Sequence, residues 1–84
     1  MAAFIVIGPP DNHLLKGAIE RNFERRFFIA EGQWVVAETN ATAQQIAERI
    51  GMNGVTGNFV AVSIAGYSGW HRKDLWEWLT INSG

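Results

Sequence analysis

The order of its apolar segments constrains this chain more than any other feature. Short runs rich in β-branched and aromatic residues alternate with segments of helical periodicity in the order strand, helix, strand, strand, helix, strand. A tryptophan-rich tail follows the last strand. Alternation of this kind predicts an α+β protein in which two strand–helix–strand units share one antiparallel sheet.

The predicted strands cover residues 4–7, 26–30, 33–38 and 59–65. A first helix is predicted over residues 12–23 with Asp11 as its N-cap, and a second begins at Thr42, which forms a capping-box pattern with Gln45. The tail at 71–79 fits a short helix or an extra strand. These segments predict the ferredoxin-like βαββαβ fold, with both helices on one face and strand order four, one, three, two.

Length and composition restrict the classes of protein to which this chain can belong. We expect one domain over residues 1–84, because a chain of this size builds a single core. There is no cysteine, the net charge is −1, and no apolar run approaches the ~20 residues of a membrane span. These features predict a cytoplasmic protein without a membrane partner and do not favour nucleic-acid binding, which usually needs a basic excess.

Every predicted strand carries apolar side chains on both of its faces. Phe4 and Val6 point one way while Ile5 and Ile7 point the other, and the remaining strands repeat this pattern. Two helices cover only one face, so a large apolar surface would remain in water. The tail or a second copy of the chain must cover it, and we expect a homodimer to which the tail contributes.

The tail also supplies the predicted partner-binding residues. A non-enzymatic interaction or regulatory module, such as a phage- or host-encoded inhibitor, would dock another protein through this aromatic and basic segment. The residues assigned to that role are Tyr67, Trp70, Arg72, Lys73, Trp76 and Trp78.

Catalytic groupings are sparse. His13 and His71 stand far apart without the spacing of a zinc site, and the glycines between 51 and 57 lack the lysine of a phosphate-binding loop. Ser68 has no nucleophile motif around it. We therefore predict no metal ligands, no cofactor and no catalytic residue, with Asp11 as the one candidate if the chain is an enzyme.

Several segments resemble small bacterial proteins loosely described as SinR-like, which are similar to the small ferredoxin-like CRISPR-associated nucleases and to VapD-type toxins. The resemblance is carried by QWVV at 33–36, TAQQI at 42–46, FVAVSI at 59–64 and DLWEW at 74–78. It implies the fold and a dimer. In the nuclease family an aspartate ends the first strand and binds the metal, whereas here Gly8 and Pro9 occupy that place and Asp11 is displaced.

Two alternative functions follow. The first is a metal-dependent nuclease of RNA or DNA that uses Asp11 from both subunits and Mg²⁺, as the resemblance implies. The second is a small-molecule sensor that holds its ligand between subunits, near Trp34 and the turn at 66–70.

Overall fold

A computed structural model of the protein describes residues 2–51 and 53–82. The elements, in chain order, are β1 (Ala2–Ile7), α1 (His13–Asn22), β2 (Arg26–Ala30), β3 (Gln33–Glu38), α2 (Ala43–Ile50), β4 (Val60–Ser63) and α3 (Lys73–Asn82). The fold is therefore α+β, with a four-stranded antiparallel sheet and three helices. The third helix is an addition to a plain βαββαβ arrangement.

The strands lie in the order β2-β3-β1-β4, and every neighbouring pair is antiparallel. Read from the other edge, this is the predicted neighbour order of four, one, three, two. The central pair places Phe4 opposite Val36 and Val6 opposite Trp34. Because side chains alternate along a strand, this register puts those four on one face and Ile5, Ile7 and Val35 on the other.

Helices α1 and α2 cover the first face, where the larger core lies. Leu15 and Ile19 of α1 and Ile46 of α2 are fully buried there against Phe4 and Val6. Leu15 and Ile19 are four residues apart, so they stack on one side of the helix and meet the sheet together. This face is the one that the sequence pattern described best.

The predicted N-cap of α1 is wrong. Asn12, not Asp11, caps this helix, since its Oδ1 accepts the N–H of Leu15 at 3.1 Å. Its Nδ2 donates to the Thr56 carbonyl at 2.6 Å, on the loop that leads to β4. A carboxylate accepts but does not donate, so only an amide makes both bonds. Asp11 lies exposed in the preceding turn.

The predicted capping box of α2 is confirmed. Thr42 Oγ1 accepts the N–H of Gln45 at 3.2 Å, and Gln45 Oε1 accepts the N–H of Thr42 at 2.9 Å. Gly51 ends the helix with a φ of 145°, a backbone region that favours glycine. Local sequence therefore sets both ends of this helix.

The tail forms a helix, α3, and it packs on the second face of the sheet. Leu75 and Leu79 are buried against Ala3 and Val35. At 100° per residue, Trp76 and Trp78 flank this buried pair on either side, while Glu77 points away from the sheet. That geometry explains how the Trp-Glu-Trp alternation fits a helix. Strand β4 is shorter than predicted, ending at Ser63 rather than at residue 65.

Candidate functional site

Helix α3 covers only part of the second face. It packs over β2, β3 and the start of β1, where Phe27 and Ile29 are partly buried beneath it. The other half of this face, formed by the end of β1 and by β4, carries four apolar side chains that we call the open strip. Its members are Ile5, Ile7, Val60 and Val62.

The open strip is exposed and contiguous. Ile7 is 43% exposed, Val60 51% and Val62 45%, and Ile5 is partly buried beside them. Ile5 lies opposite Val62 and Ile7 opposite Val60, so the four form two adjacent cross-strand pairs. A contiguous apolar surface of this kind usually marks a place where something binds.

A groove separates the open strip from α3. It has a volume of about 410 Å³ and is lined mainly by apolar side chains, among them Ile5, Val62, Leu75 and Leu79. Tyr67 and Trp76 stand at the same groove with their rings stacked, at a centroid distance of 5.7 Å and an interplanar angle of 11°. The groove therefore combines an aliphatic floor with an aromatic wall.

The basic residue Arg72 is directed at the chain's own sheet. Its Nη2 donates to the Phe28 carbonyl of β2 at 2.9 Å, and its guanidinium lies 5.3 Å from the centre of the Phe27 ring. Asp74 forms an ion pair with Arg72, with 3.5 Å between Asp74 Oδ1 and Arg72 Nε. Trp78 approaches the same Phe27 ring, with centroids 6.1 Å apart. Arg72, which precedes α3, and Trp78, in the middle of the helix, thus both contact the β2 edge of the sheet.

The predicted partner-binding residues do not form one surface. Trp76 and Trp78 are partly buried against the chain's own sheet, and Tyr67 is stacked on Trp76. Trp70 is 99% exposed, away from this cluster, and Lys73 is an exposed residue whose only described ion pair is with Glu77 at 3.8 Å. The structure therefore brings together Tyr67 with Trp76 and leaves Trp70 and Lys73 in solvent.

The residues that were candidates for catalysis or metal binding do not form a site. Asp11, His13, Ser68 and His71 are all exposed, and the Nδ1 atom of His71 accepts the N–H of Arg72 at 2.8 Å. Within residues 2–51 and 53–82, no three metal-ligating side chains come close enough together to hold an ion. Trp34 is buried on the first face, whereas Tyr67 of the turn at 66–70 stacks on Trp76 at the second face, so Trp34 and that turn lie on opposite sides of one chain's sheet.

The open strip lies on the strand face that the sequence pattern leaves uncovered by α1 and α2, but none of its four residues is among the predicted partner-binding residues. The pattern showed that both faces of each strand are apolar, but it could not show which half of the second face the tail would leave bare. One feature of the sequence does point to the side of the sheet that stays bare. No Asp, Glu, Lys or Arg occurs between Arg49 and Arg72, so β4 and both its flanks are uncharged.

Comparison of the chain with protein-family models, with curated proteins and with solved structures finds no match. Among the described residues, no helix has the length and apolar character that crossing a bilayer would require. The open strip, the groove and the sheet edges are therefore the features of this chain that bear on its function.

Proposed function

We propose that this protein is a non-enzymatic interaction module that acts in the cytoplasm as a homodimer and presents an apolar surface to a further protein. The observation that supports it best is the open strip, in which Ile7, Val60 and Val62 are each about half exposed on a sheet face that α3 covers only in part. Contact of that strip with a second subunit and with the further protein removes its apolar area from water, which stabilises the assembly by ~25 cal/mol per Å².

Within this proposal, the sheet with α1 and α2 is a ferredoxin-like core. The two strand–helix–strand units, the central position of β1 and β3 and the packing of both helices on one face support that classification. Helix α3 then serves as a partial cover for the second face. Among the described residues of the second face, the exposed large aliphatic side chains of the sheet lie toward β4, which supports docking of a partner on that side.

The character of the open strip favours a protein partner over a nucleic acid. Its four side chains are aliphatic, and the segment from Ile50 to Trp70 contributes no Lys or Arg that could contact phosphate. Interfaces between subunits have apolar centres from which charged residues are depleted. The open strip matches that composition.

A pair of lysine substitutions tests this proposal. Val60→Lys combined with Val62→Lys places charge in the open strip while leaving the first-face core untouched. We expect sedimentation velocity at micromolar concentration to show a dimer for the wild type and a monomer for the double variant. Leu14→Lys is the matched control, because Leu14 is 65% exposed on α1, and it should remain dimeric. A wild-type monomer at every concentration would refute the proposal.

The groove supports a second candidate function, a small-molecule sensor. Its volume of about 410 Å³ lies within the range of ligand pockets, and its lining is mainly apolar with the stacked Tyr67 and Trp76 at one side. A flat aromatic compound such as 1-naphthol is a suitable probe, because aromatic rings stack on one another. Thermal-shift measurement with 1-naphthol should then raise the melting temperature of the wild type and not that of Trp76→Ala.

A further inference from the structure

We propose that a second copy of this chain pairs with the first through the outer edge of β4, in antiparallel register about a twofold axis at Ala61. The two four-stranded sheets then continue into one sheet. This inference rests on the proposed homodimer and specifies how it forms.

The edge formed by β2 is protected against pairing with another strand. The hydrogen bond from the Ala37 N–H to the Arg25 carbonyl, at 3.0 Å, sets the phase of the β2–β3 ladder and directs the Phe28 carbonyl outward. Arg72 donates to that outward carbonyl. The pairing is also irregular between Phe28 and Ala30. Charged side chains and bulges are the features with which proteins protect an edge strand from pairing.

The edge formed by β4 has none of these features. Strand β4 is the last strand of the sheet, with β1 as its only neighbour among the described residues. It pairs with β1 in unbroken register from Val60 to Ser63, and it contains no charge and no proline. A regular, uncharged edge strand is a template for another strand, and two identical copies meet no like-charge repulsion there.

The ladder shows which backbone groups of β4 are available. The Ile64 N–H donates to the Ala3 carbonyl at 3.0 Å. Hydrogen-bonded and non-hydrogen-bonded pairs alternate in an antiparallel ladder. The backbone N–H and C=O groups of Val62 and Val60 therefore also point toward β1. The N–H and C=O groups of Ala61 and Ser63 therefore point away from the sheet, toward the position of a partner strand.

A twofold axis at Ala61 uses these groups and covers the exposed valines. Ala61 exchanges hydrogen bonds with Ala61 of the partner subunit. Val60 then lies opposite Val62 of the partner subunit in a non-hydrogen-bonded pair, in which side chains approach most closely. Both valines, 51% and 45% exposed in one chain, gain an apolar neighbour. The two open strips merge across the axis into a single apolar surface.

Two single substitutions separate this arrangement from face-to-face packing. Ser63→Pro removes an outward N–H at an exposed position and places a ring at the edge, whereas Ile7→Ser lowers the apolar character of the open strip on β1. Edge pairing predicts that Ser63→Pro sediments as a monomer while Ile7→Ser remains a dimer. The reverse pattern would overturn edge pairing and leave the homodimer standing. A monomeric wild type would instead refute the homodimer itself.

Cysteine crosslinking tests the register without a variant that disturbs the backbone. The chain has no cysteine, so Val60→Cys and Val62→Cys each introduce one thiol at an exposed site. In the proposed register the two opposed Cα atoms are ~4.5 Å apart, within disulfide range. We expect mild oxidation to crosslink a mixture of the two variants and neither variant alone. Crosslinking of Val62→Cys alone, or no crosslink in the mixture, would overturn the register.

Discussion

Leu79 lies where α3 meets the second face, and its substitution by alanine tests whether this helix is an integral part of the fold. The side chain is 3% exposed and belongs to a cluster with Ala3, Val35 and Leu75. Leucine-to-alanine changes in cores cost about 2–5 kcal/mol. Because the groove lies beside Leu79 and allows partial collapse, we expect the lower half of that range. A chain of this length has about 4–12 kcal/mol of total stability, so the loss is large.

Urea unfolding followed by tryptophan fluorescence measures this loss, since Trp76 and Trp78 report directly on α3. Ile81→Ala is the matched control, because Ile81 lies on the same helix and is 79% exposed. We expect the control to change stability by no more than about 0.5 kcal/mol. Equal effects of Leu79→Ala and Ile81→Ala would contradict the packing of α3 on the sheet, as would a Leu79→Ala protein of wild-type stability.

Substitutions of Asn12 and Thr56 and a nuclease assay test three more parts of the structure and function. Asn12→Asp keeps the N-cap acceptor but loses the donor to the Thr56 carbonyl, so chemical unfolding should show about 1–3 kcal/mol of destabilisation. Unchanged stability would contradict the role of Asn12 as a bridge between α1 and the loop before β4. Thr56 Oγ1 is buried without a hydrogen-bond partner in the described part of the chain, so Thr56→Val should raise the free energy of unfolding by about 1 kcal/mol. A lower melting temperature of this variant would indicate that the hydroxyl makes a hydrogen bond. Labelled RNA and DNA with Mg²⁺ should show no cleavage that Asp11→Ala abolishes; cleavage dependent on Asp11 would favour the nuclease alternative over a non-enzymatic module.

The sequence predicted those features that depend on neighbouring residues. The limits of β2 and β3 match the structure, and the capping box at Thr42 and Gln45 forms as expected. In each case the signal is local: a bounded run of β-branched and aromatic residues, or a reciprocal pair of hydrogen bonds three residues apart. Such interactions need no knowledge of the rest of the chain.

The features it did not predict depend on residues that are distant in the chain. Asn12 takes the cap position because Thr56, far along the sequence, offers a carbonyl to its amide. The sequence predicts that Trp70 shares a surface with Trp76 and Trp78, but Trp70 is 99% exposed whereas the other two are partly buried against the sheet. The open strip likewise results from where α3 settles, and hydrophobic periodicity alone carries no information about that position.

The proposed function depends on the association of two copies of this chain on the β4 side of the sheet. Sedimentation equilibrium of the unmodified protein, from high nanomolar to tens of micromolar, tests it most directly. We expect a weight-average mass that rises toward twice the 9.3 kDa of the chain. A mass that stays at 9.3 kDa over the whole range would contradict it.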